Sequence, residues 1–171
     1  PMLLTTTAFE DGGIVPEKFS MRATPSTSPE LKWTNVPANT QSLLLVMHDL
    51  ENNPTRGTKT DAAHWIVWNI PPTATGLARG AGNNPAMLPP GAFGGNTDFF
   101  DTGATGGNGN YGGPCPPVGR HRFFFKLYAL DVLLPDLGEP TKAKLEEAMK
   151  GHVLGEAKIT GVYSLNPQVP A

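Results

Sequence analysis

Two histidines and an aspartate stand where three apolar runs of the sequence begin or end. Asp49 closes the run SLLLVMHD, His64 opens HWIVWNI, and His121 opens HRFFFKLYAL. Polar residues at the ends of three strands can converge at one end of a β-sandwich. A carboxylate near an imidazole favours the charged ring, and a ring that presents N–H groups can hold phosphate, sulfate or carboxylate oxygens. The three residues together predict an anion-binding pocket; the alternative is that each only caps a strand or completes a turn.

A loop dense in glycine and proline, YGGPCPPVGR, leads directly into the His121 run. Proline fixes φ and removes a donor, while glycine allows backbone geometries closed to other residues, so we expect a rigid, shaped loop. Alternate residues of the run share a face, which places His121 and Phe123 at the strand's mouth, facing what the loop encloses. Cys115 could be a nucleophile beside an imidazolium, but a small packing role is favoured because the sequence places no base next to it.

Two further patterns carry less weight. Residues 107–112 match GxGxxG, but Gly113 and Pro114 follow where a dinucleotide fingerprint requires a helix, so a surface loop is favoured. Several residues are of types that bind metals, namely His48, Asp49, Glu51, Asp61, His64 and His121. Their spacing matches no compact ligand motif, so we predict neither a metal nor a cofactor.

Many of the 20 glycines and 18 prolines lie between apolar runs of the sequence. Buried strands are predicted at residues 42–48, 63–70 and 121–130, and residues 156–165 form a fourth strand with alternate apolar positions. Short strands joined by long loops predict an all-β sandwich or barrel. One helix is predicted from about Pro140 to Lys150, with Pro140 in its first turn and Gly151 at C′. The long connection from about Pro71 to Tyr111 is expected to be functional or loosely ordered.

Length and charge set the remaining expectations. The 171 residues fit one domain, 1–171, and the single Cys115 excludes an intrachain disulfide. A net charge of −2, with 16% charged residues, gives no basic field for nucleic acid or an anionic membrane. No segment approaches the roughly 18 apolar residues of a membrane span. We therefore expect a soluble protein, cytoplasmic by default, although a removed signal peptide would leave no trace.

Five stretches, in this order, are distributed between residues 28 and 164: SPELKWTNVP (28–37), LLLVMHDLENNP (43–54), HWIVWNIP (64–71), YGGPCPPVGRHRFFFKLYALD (111–131) and GHVLGEAKITGVYS (151–164). Together they resemble the phosphatidylethanolamine-binding protein family, which includes Raf kinase inhibitor proteins, plant flowering regulators and small bacterial and fungal relatives. The GPCPP form and the compact length resemble its bacterial-type branch most.

The resemblance implies a β-sandwich of two antiparallel sheets with a few short helices. It also implies a small pocket at one edge, which in the family accepts phosphate or the phosphoryl head group of phosphatidylethanolamine. Carried over by residue, the pocket would comprise Asp49, Glu51, His64, Gly113, Pro114, Cys115, Pro116, His121 and Phe123. Trp65 is a further candidate wall, although strand alternation puts it on the face opposite His64.

The sequence departs from the family pattern at two places. The family's Asp-Pro-Asp-x-Pro motif is degraded to DLENNP, so its second acid is at best Glu51 and the loop is longer. Phe123 stands where the family commonly has tyrosine, which removes a hydroxyl that could bond an anion.

Three functions stay open at this point. The first is a binding protein for a small anionic or phosphoryl-bearing ligand. The second is a repurposed enzyme of secondary metabolism that cyclises or dimerises reactive acids or anhydrides, with His64 or His121 as general base. The third is an inhibitor of a kinase or protease, for which the sequence offers no discriminating feature. Oligomeric state is not set by the sequence, and a homodimer remains open.

Overall fold

Eight β-strands, one α-helix and three 3-10 helices form the regular structure of the residues described by this computed structural model, namely 1–20, 23, 27–49, 62–95, 97, 111–114, 120–138 and 140–164. The strands are β1 (Leu3–Thr5), β2 (Leu31–Thr34), β3 (Ser42–Asp49), β4 (Ala62–Ile70), β5 (Gly76–Leu77), β6 (Phe93–Gly94), β7 (His121–Leu130) and β8 (Val153–Tyr163). Helix α1 spans Lys142–Met149, and the 3-10 helices are Glu17–Phe19, Ala81–Asn83 and Pro85–Met87.

The strands form two antiparallel sheets, which confirms the predicted all-β sandwich with a few short helices. A three-stranded sheet has the order β1-β2-β5, and a five-stranded sheet has the order β6-β4-β3-β7-β8. The four predicted strands are the long strands of the larger sheet, although β4 begins at Ala62, one residue before its predicted start, and β8 begins at Val153, three residues before its predicted start. Every side chain of β3 is buried because β3 lies in the middle of this sheet and both faces are covered.

Each face of the five-stranded sheet contributes to a separate cluster of buried side chains. The inner face packs against the smaller sheet, and its cluster includes Leu31 and Trp33 from β2 together with Leu45, Phe125 and Leu127. The outer face packs against helix α1, and its cluster is Leu44, Val46, Ala63, Ile66, Trp68, Leu130, Leu134, Leu145 and Met149. Alternation along β7 assigns His121 and Phe123 to the inner face.

Helix α1 begins slightly later than predicted. Thr141 is its N-cap, and the Thr141 hydroxyl oxygen accepts a hydrogen bond from the Lys144 amide. Pro140 therefore precedes the cap, and its predicted position in the first turn is wrong. Gly151 has a φ of 78°, so the predicted C′ glycine is confirmed. Among the described residues, no helix is long and apolar enough to cross a bilayer.

The connection between β4 and residue 111 is more ordered than predicted over its described part. It contains β5, two 3-10 helices and β6, and the Ser28 hydroxyl oxygen accepts a hydrogen bond from the Gly82 amide at 2.8 Å. Strands β1 and β2 were not predicted at all. They are only three and four residues long, and β2 alternates buried and exposed positions over too short a span for its period to be recognised.

Removal of the Leu145 side chain should detach helix α1 from the outer face of the sheet. Leu145 is fully buried in the outer cluster, so Leu145→Ala is expected to lower the free energy of unfolding by about 2–5 kcal/mol. The exposed neighbouring residue Lys144 serves as the control, because Lys144→Ala should change the free energy of unfolding by less than about 0.5 kcal/mol. Urea denaturation measures both values, and equal effects would contradict the assigned packing.

Candidate functional site

The centre of the site is a buried hydrogen bond between a carboxylate and an imidazole on two strands of the larger sheet. Asp49 ends β3 and His121 begins β7, and Asp49 lies across the ladder from Phe123. The Asp49 Oδ2 and His121 Nδ1 atoms are 2.6 Å apart. Both residues are almost completely enclosed, with exposed fractions of 5% and 4%. The predicted convergence of Asp49 and His121 is therefore observed.

This contact fixes the chemistry of the His121 ring. A carboxylate can only accept, so the Nδ1–H group of His121 donates to Asp49. In the neutral ring, Nε2 then carries the lone pair, and in the charged ring Nε2 carries a second proton. The same nitrogen can accordingly accept a proton or donate a hydrogen bond, depending on the charge of the ring.

His64 reaches the same face of the sheet because β4 contains a bulge. Met47 pairs with Trp65, but the next residue, His48, pairs with Ala63, so His64 is the extra residue on its strand. A bulge places two successive side chains on one side of a sheet. His64 contacts Phe123 and Trp65 belongs to the inner cluster, so both lie on the inner face. The expectation that Trp65 and His64 lie on opposite faces is wrong for this reason.

Two hydrogen bonds hold His64 to the loop that precedes β7. The Nδ1 atom of His64 is 2.7 Å from the Gly112 carbonyl oxygen, and the Gly112 amide donates to the His64 carbonyl oxygen, also at 2.7 Å. Because a carbonyl oxygen can only accept, Nδ1–H is the donor in the first bond. The strand and the loop therefore fix both the position and the tautomer of this imidazole.

The ring of Phe123 contacts both imidazoles. The centroids of Phe123 and His64 are 5.1 Å apart with perpendicular planes, and those of Phe123 and His121 are 6.4 Å apart in a stacked arrangement. Phe123 is fully buried. It therefore forms an apolar floor shared by the two histidines, which lie in one site although 57 positions separate them in sequence.

Tyr111 anchors the start of the loop in the core. Its hydroxyl donates to the Phe19 carbonyl oxygen at 2.6 Å, and its ring meets Trp65 edge-on at 5.3 Å. Burial raises the pKa of the Tyr111 hydroxyl far above its ordinary value, so the group remains a neutral donor. Gly82 is required here, because a Cβ at this position would lie 2.7 Å from the Tyr111 Cβ and 2.8 Å from Trp65.

The predicted site residues fall into two groups. Asp49, His64, His121 and Phe123 are in mutual contact or share a neighbour, and Gly113 and Pro114 are buried directly after Gly112. Glu51, Cys115, Pro116 and Asp61 lie outside the described residues. Within the described residues, no three histidine, cysteine, aspartate or glutamate side chains are grouped so that they could hold a metal.

Sequence reasoning did not identify Gly112 and Tyr111 as functional positions. Gly112 acts through its backbone, which no residue pattern reports. Tyr111 differs, because an aromatic residue at the head of a glycine-rich loop is a visible signal of an anchor.

The sequence and the fold match those of known proteins. A model of the phosphatidylethanolamine-binding protein family matches residues 5–164. A UPF0098 protein of Methanothermobacter thermautotrophicus is 41% identical over 162 residues, which are 95% of this chain and 98% of that protein. A UPF0098 protein of Chlamydia trachomatis is 36% identical over 163 residues, with the same coverage of both chains.

Two crystal structures share the fold over nearly their whole length. One, described as a phosphatidylethanolamine-binding protein homologue from Chlamydia trachomatis, has a TM-score of 0.81 and 35% identity, and the match covers 96% of this chain and 98% of that one. The other, YbcL of E. coli, described as a member of the mammalian PEBP family, has a TM-score of 0.82 and 28% identity, with coverage of 96% and 99%. The chain therefore belongs to the phosphatidylethanolamine-binding protein family, in its bacterial and archaeal branch.

Proposed function

We propose that this protein binds a small anionic or phosphoryl-bearing ligand at the site formed by Asp49, His64, His121, Phe123 and the loop at Gly113 and Pro114. The observation that carries the proposal is the buried contact of 2.6 Å between His121 and Asp49, next to a second imidazole held by the loop. The name of the family supports the same ligand class, because the head group of phosphatidylethanolamine contains a phosphoryl group.

The charge balance of the site favours an anion once the imidazoles are protonated. The Asp49 carboxylate and a protonated His121 together are neutral, so Asp49 does not by itself repel a ligand anion. A protonated His64 then adds a net positive charge on the other side of the Phe123 ring, which contacts both imidazoles. In an enclosed site, an N–H donor on a charged ring forms a hydrogen bond about twice as strong as a neutral one.

The His121 imidazole should contribute most of the affinity. With His121→Ala, phosphate binding is expected to weaken by about 1.5–3 kcal/mol, the usual worth of a charge-assisted hydrogen bond. Asp49→Asn should cost less, because Asp49 acts only by orienting and charging the ring. Isothermal calorimetry with inorganic phosphate, and separately with a phosphate monoester, measures these losses.

A matched control for this experiment lies outside the site. His152 forms a similar pair with Asp131, with Nδ1 and Oδ1 2.8 Å apart, but both residues are more than two-fifths exposed. His152→Ala should leave phosphate affinity unchanged. Equal losses of phosphate affinity in His121→Ala and His152→Ala would contradict the proposal.

Restoring a hydroxyl at position 123 should tighten anion binding and lower stability without the anion. Phe123→Tyr buries a hydroxyl group, so the ligand-free protein should lose about 1–3 kcal/mol of unfolding free energy. With phosphate bound, the hydroxyl gains an acceptor, and affinity should rise by about two- to tenfold. Calorimetry and urea denaturation with and without phosphate give both numbers.

Phe125→Tyr is the control for that substitution. Phe125 is also fully buried on the inner face of β7, but its ring contact is with Phe9, at 5.6 Å. It should lose comparable stability and show unchanged phosphate affinity. If Phe123→Tyr behaves as Phe125→Tyr does, the ligand does not reach the Phe123 ring.

One observation favours a second candidate function, general-base catalysis. A buried carboxylate that holds an imidazole through Nδ1 is also the arrangement that orients a histidine to accept a proton at Nε2. The corresponding activity is turnover of a reactive acid or anhydride, the chemistry considered for a repurposed member of the family.

Hydrolysis of a model organic anhydride distinguishes base catalysis from nucleophilic catalysis. If His121 is the base, His121→Ala should lower kcat by about 100-fold or more, whereas Cys115→Ala should stay within a few-fold because Cys115 is expected only to pack against the pocket. A loss of about 1000-fold in folded Cys115→Ala would identify a nucleophile instead. Absence of turnover together with phosphate binding would leave the anion-binding proposal alone.

A further inference from the structure

Strand β8 is an edge strand, and the described residues cover one half of its outer edge. The Thr160 carbonyl oxygen accepts from the Gly12 amide at 2.7 Å, and the Thr160 amide donates to Asp11 Oδ1 at 2.8 Å. The Val162 amide and carbonyl oxygen form bonds of 2.9 Å with Gly13 and Val15. The segment 11–15 thus occupies the edge at Thr160 and Val162.

The other half of the edge has no backbone partner among the described residues. Backbone groups along a strand point to alternate sides, and the register of β8 with β7 is unbroken from Gly155 to Tyr163. Because Thr160 and Val162 direct their amides and carbonyls away from β7, Glu156 and Lys158 do the same. Both residues are exposed, and in the described part of the chain no backbone bond covers them.

Two lysines at this open edge, Lys126 and Lys158, form no ion pair with an acidic side chain of the described residues. Lys158 lies directly across the ladder from Lys126, and such like-charged pairs are unfavourable. Both ammonium groups lie within 6 Å of the Phe124 ring. Together with Glu156 and Ala157 they line a groove of about 260 Å³.

We propose that this edge is an interface between two copies of the chain, in which residues 155–159 of β8 pair antiparallel about a two-fold axis at Ala157. In that register, Glu156 of one copy lies across from Lys158 of the other, and the reverse pair forms on the other side of the axis. The contact is self-complementary, as a two-fold interface requires. A register centred on Glu156 would instead place two carboxylates together, so charge selects one alignment.

Exposed apolar side chains lie at both ends of the same stretch. Val153 and Leu154 precede it, with exposed fractions of 43% and 42%, and Ile14, at 60%, lies beside Val162 beyond its other end. An antiparallel two-fold brings the beginning of one open stretch towards the end of the other. Each copy therefore covers Val153 and Leu154 of its partner with the region around Ile14, which adds apolar burial to the strand pairing.

Charge reversal tests both the interface and its register. Glu156→Lys alone places two lysines across from each other, and Lys158→Glu alone places two glutamates, so each variant should weaken self-association about tenfold or more relative to the unaltered protein. An equimolar mixture of the two variants should associate, because every cross-strand pair is then of opposite charge. The doubly swapped chain, Glu156→Lys with Lys158→Glu, should also regain association. Sedimentation velocity over a concentration series measures all four.

Lys144→Glu on helix α1 is the control for a change of net charge, and it should associate as the unaltered protein does. Circular dichroism checks that the variants are folded, which their exposed positions favour. The proposal is overturned if the unaltered protein is monomeric at about 1 mM, if the single variants associate as tightly as it does, or if the mixture stays monomeric. These results are independent of phosphate binding, because Glu156 and Lys158 lie outside the anion site.

Discussion

Burial of the Asp49 carboxylate is the constraint on which the site and the central sheet both depend. A carboxylate enclosed to this degree without a partner would cost several kcal/mol, and the contact with His121 compensates that cost. The contact exists only if β3 and β7 pair in the observed register, with Asp49 across from Phe123. A slip of one residue would turn the carboxylate to the other face and leave it unpaired. Folding to the correct register and assembling the site are therefore one event.

The second imidazole requires a local departure from regular structure. Without the bulge at His64, strict alternation would place either His64 or Trp65 on the outer face, and one of two inner-face contacts would be lost: Phe123 for His64 or Tyr111 for Trp65. The loop then completes the arrangement through Gly112, whose two bonds to His64 leave the ring little freedom. The site is thus built on strand ends and one anchored loop, which suits preorganised binding of a small ligand.

Sequence reasoning located the long strands, helix α1 and the convergence of Asp49, His64 and His121, because period and residue type report burial and strand ends directly. It did not locate β1 and β2, whose spans are too short for a period to emerge. It also placed Trp65 incorrectly relative to His64, since a bulge depends on the partner strand and has no signature in one sequence. The role of Gly112 was hidden for a similar reason, because its contribution is made by backbone atoms.

The cover that residues 11–15 provide for β8 has a consequence for how the chain folds. The hydrogen bond from Thr160 to Asp11 joins positions 149 residues apart, so closing this contact carries a large loop-closure entropy. Such non-local pairing forms slowly compared with a hairpin. During synthesis the amino-terminal segment emerges long before its partner strand, and it must wait while β3, β4 and β7 are made. Completion of this sheet edge is therefore a late step that follows translation of β8.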